Sequence, residues 1–482
     1  MTESTAPRRI LAGPFNRVEG DLEIRLDIEG DAVRAAYVNS PLFRGFERIL
    51  EGKDPRDALT IVPRICGICS VSQSVAAARA LGAAAGISPP INGERVTSLL
   101  HAVENMADHL THFYLFFMAD FARQAYSGWA WHGEISRLFQ AKTGVAVRQA
   151  VDARAQLLTI MGLLAGKWPH TLSIQPGGVT KAPDARDRVR CLAIMRAFRH
   201  WLEANLVGAS LESFIALNSR EALEAWSRGH IGLFLRISED LDLGRLGPGA
   251  PRFMSYGAYE VAGTHLFKAG LNFDGMPGIL DTRRIVEDLS HSWMLGETSH
   301  PFDGSTIPDE AMRDEAYSWC KAPRYDGRTV EVGAFARQLI DGHPLAPALL
   351  HDGCANVRAR VVGRALELAL SVVACEGWIK DIEVASDFIS PAQIPDFAQV
   401  TGLCEAARGS LGHWLTIRDG RIAGYQIVAP TTWNFSPRDG QGVPGALEAA
   451  LVGARVTDGE QTPLSVQHIV RSFDPCMVCT VH

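Results

Sequence analysis

No stretch of the chain offers the roughly 20 consecutive apolar residues that a membrane-spanning helix needs. Met1 to Ile10 hold two arginines with no apolar segment behind them, so the expectation is a soluble chain, not exported by itself. A basic run is missing as well. The 47 Lys+Arg stand against 54 Asp+Glu, a formal net charge of -7, which gives a polyanion such as nucleic acid nothing to hold. There are no internal repeats, low-complexity tracts or linkers, so one large unit over residues 1–482 is expected. A disulfide framework is lacking too: the nine cysteines are an odd number spread through a long chain, which fits a reducing compartment, the cytoplasm by default. Five of them, Cys191, Cys320, Cys354, Cys375 and Cys404, stand alone and read as small buried hydrophobes.

What is present is the composition of a folded protein, 47% apolar and 21% charged, long enough to bury a large interior. After Gly20 the alternation Leu22, Ile24, Leu26, Ile28, then Gly30-Asp31, then Val33, predicts a hairpin with one buried face, in a first region of about 8–45. From Asn92, Val96, Leu99, Leu100, Val103, Ala107, Leu110, Tyr114, Phe117 and Phe121 recur at helical spacing and predict one long helix. Further helices are expected at Val189 to Leu206 and Val357 to Val373, within a helical core of about 60–380. Trp414 to Val428 turns at Asp419-Gly420 and predicts a second hairpin, opening a last region of about 400–482. Near the end Thr462-Pro463 reads as the cap and first-turn proline of a short helix, with an irregular tail from Phe473. The fold class is α+β and mainly helical: long central helices around a buried metal site, small antiparallel sheets near both chain ends.

The chemistry lies at the two extremities. Arg64-Ile65-Cys66-Gly67-Ile68-Cys69 and Asp474-Pro475-Cys476-Met477-Val478-Cys479 are two C-x-x-C pairs that only folding can bring together. Four thiolates invite a soft metal. The first pair precedes a helix expected from about Ser70, whose free N–H groups and positive dipole end should favour thiolate at these sulfurs. By spacing alone a structural zinc site is an equal alternative. Zinc ribbons, however, hold their pairs about 15 to 20 residues apart, and these stand near opposite ends of the chain.

Taken together, these two signatures closely resemble those of nickel-iron hydrogenase large subunits. Other blocks of that family follow in order: Arg17-Val18-Glu19-Gly20, Arg44-Gly45-Phe46-Glu47, Asp108-His109-Leu110, Gln175-Pro176-Gly177-Gly178, Ala407-Arg408-Gly409, and Tyr425 through Pro430-Thr431-Thr432-Trp433-Asn434. The resemblance implies that Cys66 and Cys476 bind nickel terminally, while Cys69 and Cys479 bridge it to an iron carrying carbon monoxide and cyanide. Splitting dihydrogen into unequal halves calls for a Lewis acid and a nearby base, and Cys476 is the implied base. Glu19 is the implied proton relay; by itself it is an ordinary carboxylate beside a hairpin. Arg408, Asp108 and Asp474 resemble the polar canopy over the metals, with Arg408 and Thr431 facing the diatomic ligands; singly, each reads as a salt-bridge or capping residue. Glu47, His482 and the Ile427 carbonyl match positions that hold a magnesium ion under the C-terminal tail, which implies that the tail is buried. The solitary cysteines have no iron-sulfur spacing, so electrons need a partner, and the resemblance supplies an iron-sulfur small subunit.

Departures from the family pattern bear on the subtype. Gln73 and Asp21 stand where catalytic members mostly carry histidine, and Gln73 is what hydrogen-sensing members carry. Ile68 and Phe116 replace smaller Val and Leu at the inner end of a gas channel, although core packing is the ordinary reading of each residue. Ala407 replaces a proline before Arg408, and the chain ends at His482 without the extension that a maturation protease removes from most catalytic members. The reading is a low-turnover, hydrogen-sensing hydrogenase large subunit that signals through its small subunit to a sensor histidine kinase, with a dimer of heterodimers as the assembly. The alternative is a respiratory uptake hydrogenase, and a third is a zinc-stabilised scaffold related to the respiratory quinone-reducing complex.

Overall fold

The alternation after Gly20 becomes the central strand of a three-stranded antiparallel sheet in this computed structural model, which describes residues 8–457 and 459–482. Its strands are β1 (Arg8–Ala12), β2 (Glu23–Glu29) and β3 (Ala32–Asn39), paired in that order. Leu22, Ile24, Leu26 and Ile28 are all buried, as period-two patterning requires. The expected hairpin is β2 and β3, turning at Gly30 with φ 63°. Strand β1 is additional, and only the short run Ile10, Leu11 and Ala12 stands behind its two arginines to announce it.

Next come the single turn α1 (Phe46–Leu50), α2 (Ser70–Ala84) and α3 (Ile91–Thr111). The long helix expected from Asn92 is α3, and it continues through a π-helical turn at His112–Phe117 and a 3-10 turn at Met118–Ala122. Its apolar stripe is buried, but so are His101, Glu104, Asn105, Asp108 and His109 on its polar side. Buried polar groups need partners, and those of α3 find them in and around the metal site. The helices α4 (Val145–Ala165), α5 (Ala185–Trp201) and α6 (Val357–Asp381) complete the helical core. Both α4 and α6 pack against α3, and α5 covers those two. Asp184 begins α5 with a capping box to Asp187, and Asn356 begins α6 by accepting the Ala359 N–H at 2.9 Å.

Between α5 and α6 runs a hairpin, β4 (Arg252–Val261) and β5 (Thr264–Phe273), that the apolar pattern did not announce. Its turn residues are Ala262 and Gly263, both at positive φ. Alanine there lacks the Asn-Gly or Asp-Gly signature by which such turns are recognised.

The second expected hairpin is present as β7 (Gly409–Arg418) and β8 (Arg421–Val428), turning at Asp419-Gly420, with β6 (Ala398–Ala406) on the outer side of β7. This sheet lies on α2, and Gly402 is required there: a Cβ at that position would sit 1.9 Å from the Ala76 carbonyl oxygen. Then follow α7 (Pro430–Asn434), α8 (Leu464–Phe473) and α9 (Met477–Thr480). Thr462 does not cap α8 as expected. Pro463 holds the cap position without a side-chain bond, and the Thr462 carbonyl accepts from Gln467 Nε2 at 2.7 Å. The tail expected to be irregular forms α9, and Asp474, Cys476, Cys479 and His482 are all buried. Among the described residues no helix is long and apolar enough to cross a membrane.

Candidate metal centre

The front cysteine pair leads directly into α2, with Cys69 at the cap position. The cap amide of Cys69 bonds the Cys66 sulfur, but the free amides of Val71 and Ser72 do not serve the sulfurs, which corrects part of the expectation drawn from the dipole. Glu104 on α3 takes them: its carboxylate accepts from the N–H groups of Val71 (2.9 Å) and Ser72 (3.0 Å), from the hydroxyls of Ser70 and Ser72 (3.2 Å each), and from Trp168 Nε1 (3.0 Å). Burial pushes Glu104 up to about 7, against the pull of those donors. Five donors and no acceptor among these contacts describe a carboxylate. Cys66 Sγ also accepts the Ile68 N–H at 3.2 Å.

The back pair follows α8, which ends at Asp474 in the left-handed conformation, φ 58°. It is zipped to the N-terminal region by backbone: Glu19 N–H donates to Pro475 O at 3.3 Å and Met477 N–H donates to Glu19 O at 2.7 Å. Upstream, Asp120 anchors both partners of this contact, accepting from Arg17 and, at 2.6 Å, from Arg471 Nη1. The four sulfurs then meet. All lie within 4.8 Å of one another, with Cys66 to Cys476 at 3.4 Å, Cys69 to Cys479 at 3.1 Å and Cys476 to Cys479 at 3.0 Å. None is disulfide-bonded. Hydrogen bonds from Cys476, Cys479 and Cys69 hold Cys66 well below the usual thiol range, while those with Cys476, Cys479 and Cys66 push Cys69 up. Four dry thiols this close cannot all ionise unless a cation joins them, and soft sulfur donors suit nickel and iron of low charge.

Beside the sulfurs Arg408 forms a buried clamp. Its guanidinium donates to Asp108 Oδ2 (2.5 Å) and Oδ1 (3.2 Å), to Asp474 Oδ1 (3.1 Å) and to the Asp474 carbonyl (2.8 Å). Burial pushes Asp108 up to about 7, against Arg408, whereas Asp474, also buried, is held below its ordinary value by Arg408 and His112. The backbone before Arg408, where Ala407 stands, is gripped by Arg337, which donates to the carbonyls of Ala406 (3.1 Å) and Ala407 (3.0 Å). Arg337 is itself paired with Glu367 and Glu405, and His109 reaches Glu367 at 2.9 Å. Thr431 accepts the Cys476 N–H at 3.1 Å, leaving its own hydrogen to donate.

Glu19 is half-buried, and its carboxyl is raised by burial and by the Cys66 sulfur, against Arg408 and Arg44. Gln73 is buried, receives His413 Nε2 at 2.8 Å on its Oε1, and finds no partner for its own Nε2 among the described residues. Burial lowers His413 to about 3, so the neutral ring donates from Nε2 while Nδ1 accepts from the Tyr425 hydroxyl at 2.8 Å. Asp21 is exposed, and Ile68 and Phe116 are half-buried.

The residues of the expected ion site also meet. His482 Nε2 lies 2.8 Å from Ile427 O and 3.3 Å from Glu47 Oε1, and Glu47 Oε1 accepts the Ile427 N–H at 2.7 Å. They line a cavity of about 20 Å³ with Glu287 and Lys321, room for one water-sized occupant. Lys321 and His482 hold Glu47 down at about 2, against the penalty of burial.

Sequence reasoning left Glu104, Arg337, Glu367, Glu405, His413, Lys321 and Glu287 without roles. Polar residues inside apolar helical or strand patterns were the available signal, as at Glu104 and His101 in α3.

A dry cluster of four thiols with charged groups at its rim defines a thiolate-ligated transition-metal protein. Comparison with known families makes the class specific: residues 44–125 and 146–482 match the nickel-dependent hydrogenase family, and the chain belongs to it. The periplasmic [NiFeSe] hydrogenase large subunit of Desulfomicrobium baculatum is 29% identical over 98% of this chain and 95% of its own length. The hydrogenase-2 large chain of Escherichia coli K12 and the quinone-reactive Ni/Fe-hydrogenase large chain of Wolinella succinogenes are each 28% identical over 98% of this chain, covering 97% and 96% of their own lengths. The solved structure of the reduced Ni-Fe-Se hydrogenase from D. vulgaris Hildenborough superposes with a TM-score of 0.86 at 30% identity, over 99% of this chain and 100% of that one. The protein is thus a hydrogenase large subunit, a kind of chain that works with a small subunit.

Proposed function

We propose that the chain acts as one unit over residues 1–482 and oxidises dihydrogen at a nickel-iron centre held by Cys66, Cys69, Cys476 and Cys479. The observation that carries this is the meeting of four buried, unbridged sulfurs within 4.8 Å. With carbon monoxide and cyanide on its iron, such a centre supplies the Lewis acidity that dihydrogen cleavage needs. The chain's own residues supply the rest. Cys476 takes the proton, and Glu19, whose backbone is bonded on either side of it, carries the proton outward. Arg408, held by Asp108 and Asp474, offers fixed positive charge over the site, and Thr431 offers a hydroxyl. Glu47, His482 and the Ile427 carbonyl are proposed to hold a magnesium ion that secures the tail. Electrons would leave through iron-sulfur clusters carried by a small subunit.

The names of the relatives, one of them quinone-reactive, favour a respiratory uptake role. The second reading, hydrogen sensing, rests on Gln73: a buried amide whose Nε2 has no partner among the described residues lies one helical turn beyond Cys69, where a histidine would offer a titratable ring instead. That role would bring a cytoplasmic site, low turnover, a dimer of heterodimers and relay to a sensor histidine kinase. Deleting only this chain separates the two. Loss of hydrogen uptake with gene induction intact establishes the uptake enzyme. Loss of hydrogen-dependent induction of other hydrogenase genes, with respiration on an independently expressed hydrogenase intact, establishes the sensor.

A further inference from the structure

Arg44 opens the block that ends at Glu47, and so far its charge has entered only through its pull on Glu19. Its Nη2 donates to the carbonyl of Ile65 at 2.6 Å and also to the carbonyl of Val478. Ile65 immediately precedes Cys66, and Val478 immediately precedes Cys479. One nitrogen, with one hydrogen for each carbonyl, therefore joins the peptide units that deliver a cysteine from the front pair and one from the back pair. The guanidinium packs over the Phe46 ring at 4.9 Å, which limits its freedom to swing away. Gly45, at φ 73°, reverses the chain so that Arg44 faces the cysteines while Glu47 faces His482. On the far side of the tail Gly20 leaves room: a Cβ there would come within 3.1 Å of Val478 N and Met477 Cβ. Backbone bonds to Glu19 fix Pro475 and Met477, and Arg44 is the side chain that ties the next residue to the front loop.

We propose that Arg44 is a positioning residue that sets the spacing between the two cysteine pairs, and with it the sulfur geometry offered to the metal. The proposal rests on the reading that these four sulfurs hold nickel. Arginine suits the task because its planar fork keeps both donors in a fixed direction, which a lysine ammonium on a flexible stem does not.

The test compares the purified heterodimer with its R44M and R44K variants by elemental analysis for nickel, X-ray absorption at the nickel edge, and steady-state dihydrogen oxidation. In R44M the nickel–sulfur distances are expected to spread and kcat to fall on the order of 10- to 100-fold with KM for dihydrogen unchanged, as misplacement without lost substrate contact predicts. R44K should recover part of both. A nickel–sulfur shell and kcat like those of the wild type in R44M overturn the proposal; if R44M does not assemble, a wild-type shell in R44K overturns it. Wild-type protein without nickel would instead overturn the metal reading, and this proposal with it.

Discussion

The Glu104 carboxylate accepts the Val71 N–H at 2.9 Å, so a side chain in the middle of α3 caps the start of α2, the helix that follows the front cysteine pair. Removing it as Glu104→Ala leaves two buried amides and the Trp168 indole without an acceptor. The expected loss is roughly 3–5 kcal/mol of unfolding free energy, read as a lower urea midpoint, together with reduced nickel content. Wild-type stability in this variant would show that water replaces the carboxylate without penalty.

Arg408→Lys keeps the charge and loses the fork that spans Asp108 and Asp474. The kcat for dihydrogen oxidation should drop on the order of 10²- to 10³-fold while nickel content stays level. Unchanged turnover would remove this arginine from the reaction.

His101 is buried between the Ser72 hydroxyl, at 3.1 Å, and the Tyr259 ring, and burial lowers its pKa from 6.5 to about 3. Below pH 6.5 the unfolded chain takes up a proton there that the folded chain refuses. Its contribution is complete above that pH and falls by up to about 1.4 kcal/mol per pH unit on the way down to the folded value. Comparison of wild type with His101→Gln isolates this group: their difference in unfolding free energy should shrink as pH falls from 6.5. A difference independent of pH would mean that His101 takes up its proton in the fold as readily as in the unfolded chain.

Ile68 lies between the front cysteines and packs on the core, while Phe116 is in the π-helical turn that extends α3. The double variant Ile68→Val with Phe116→Leu removes volume at both positions and is expected to make hydrogenase activity labile to oxygen. Activity assayed after timed exposure to air checks it, and equal survival of variant and wild type would leave these side chains as core filling.

The donor chemistry was readable from the chain alone, because a thiol is soft wherever it lies and C-x-x-C places two sulfurs on one local turn. So were the two hairpins with Gly30-Asp31 and Asp419-Gly420 turns, and the long helix from Asn92, since strand and helix periods are set by near neighbours. The β4–β5 hairpin stayed hidden behind an alanine turn, and the roles of Arg44, Glu104 and Arg337 behind their distance from the residues they hold. Only the tertiary structure decided that the Val71 and Ser72 amides of α2 serve Glu104 rather than sulfur, and that Asp474 is held below its ordinary value while Asp108 beside the same arginine is raised to about 7. Those outcomes depend on burial and on distances between residues far apart in the chain, and electrostatic energy in a dry interior is governed by such distances rather than by local composition.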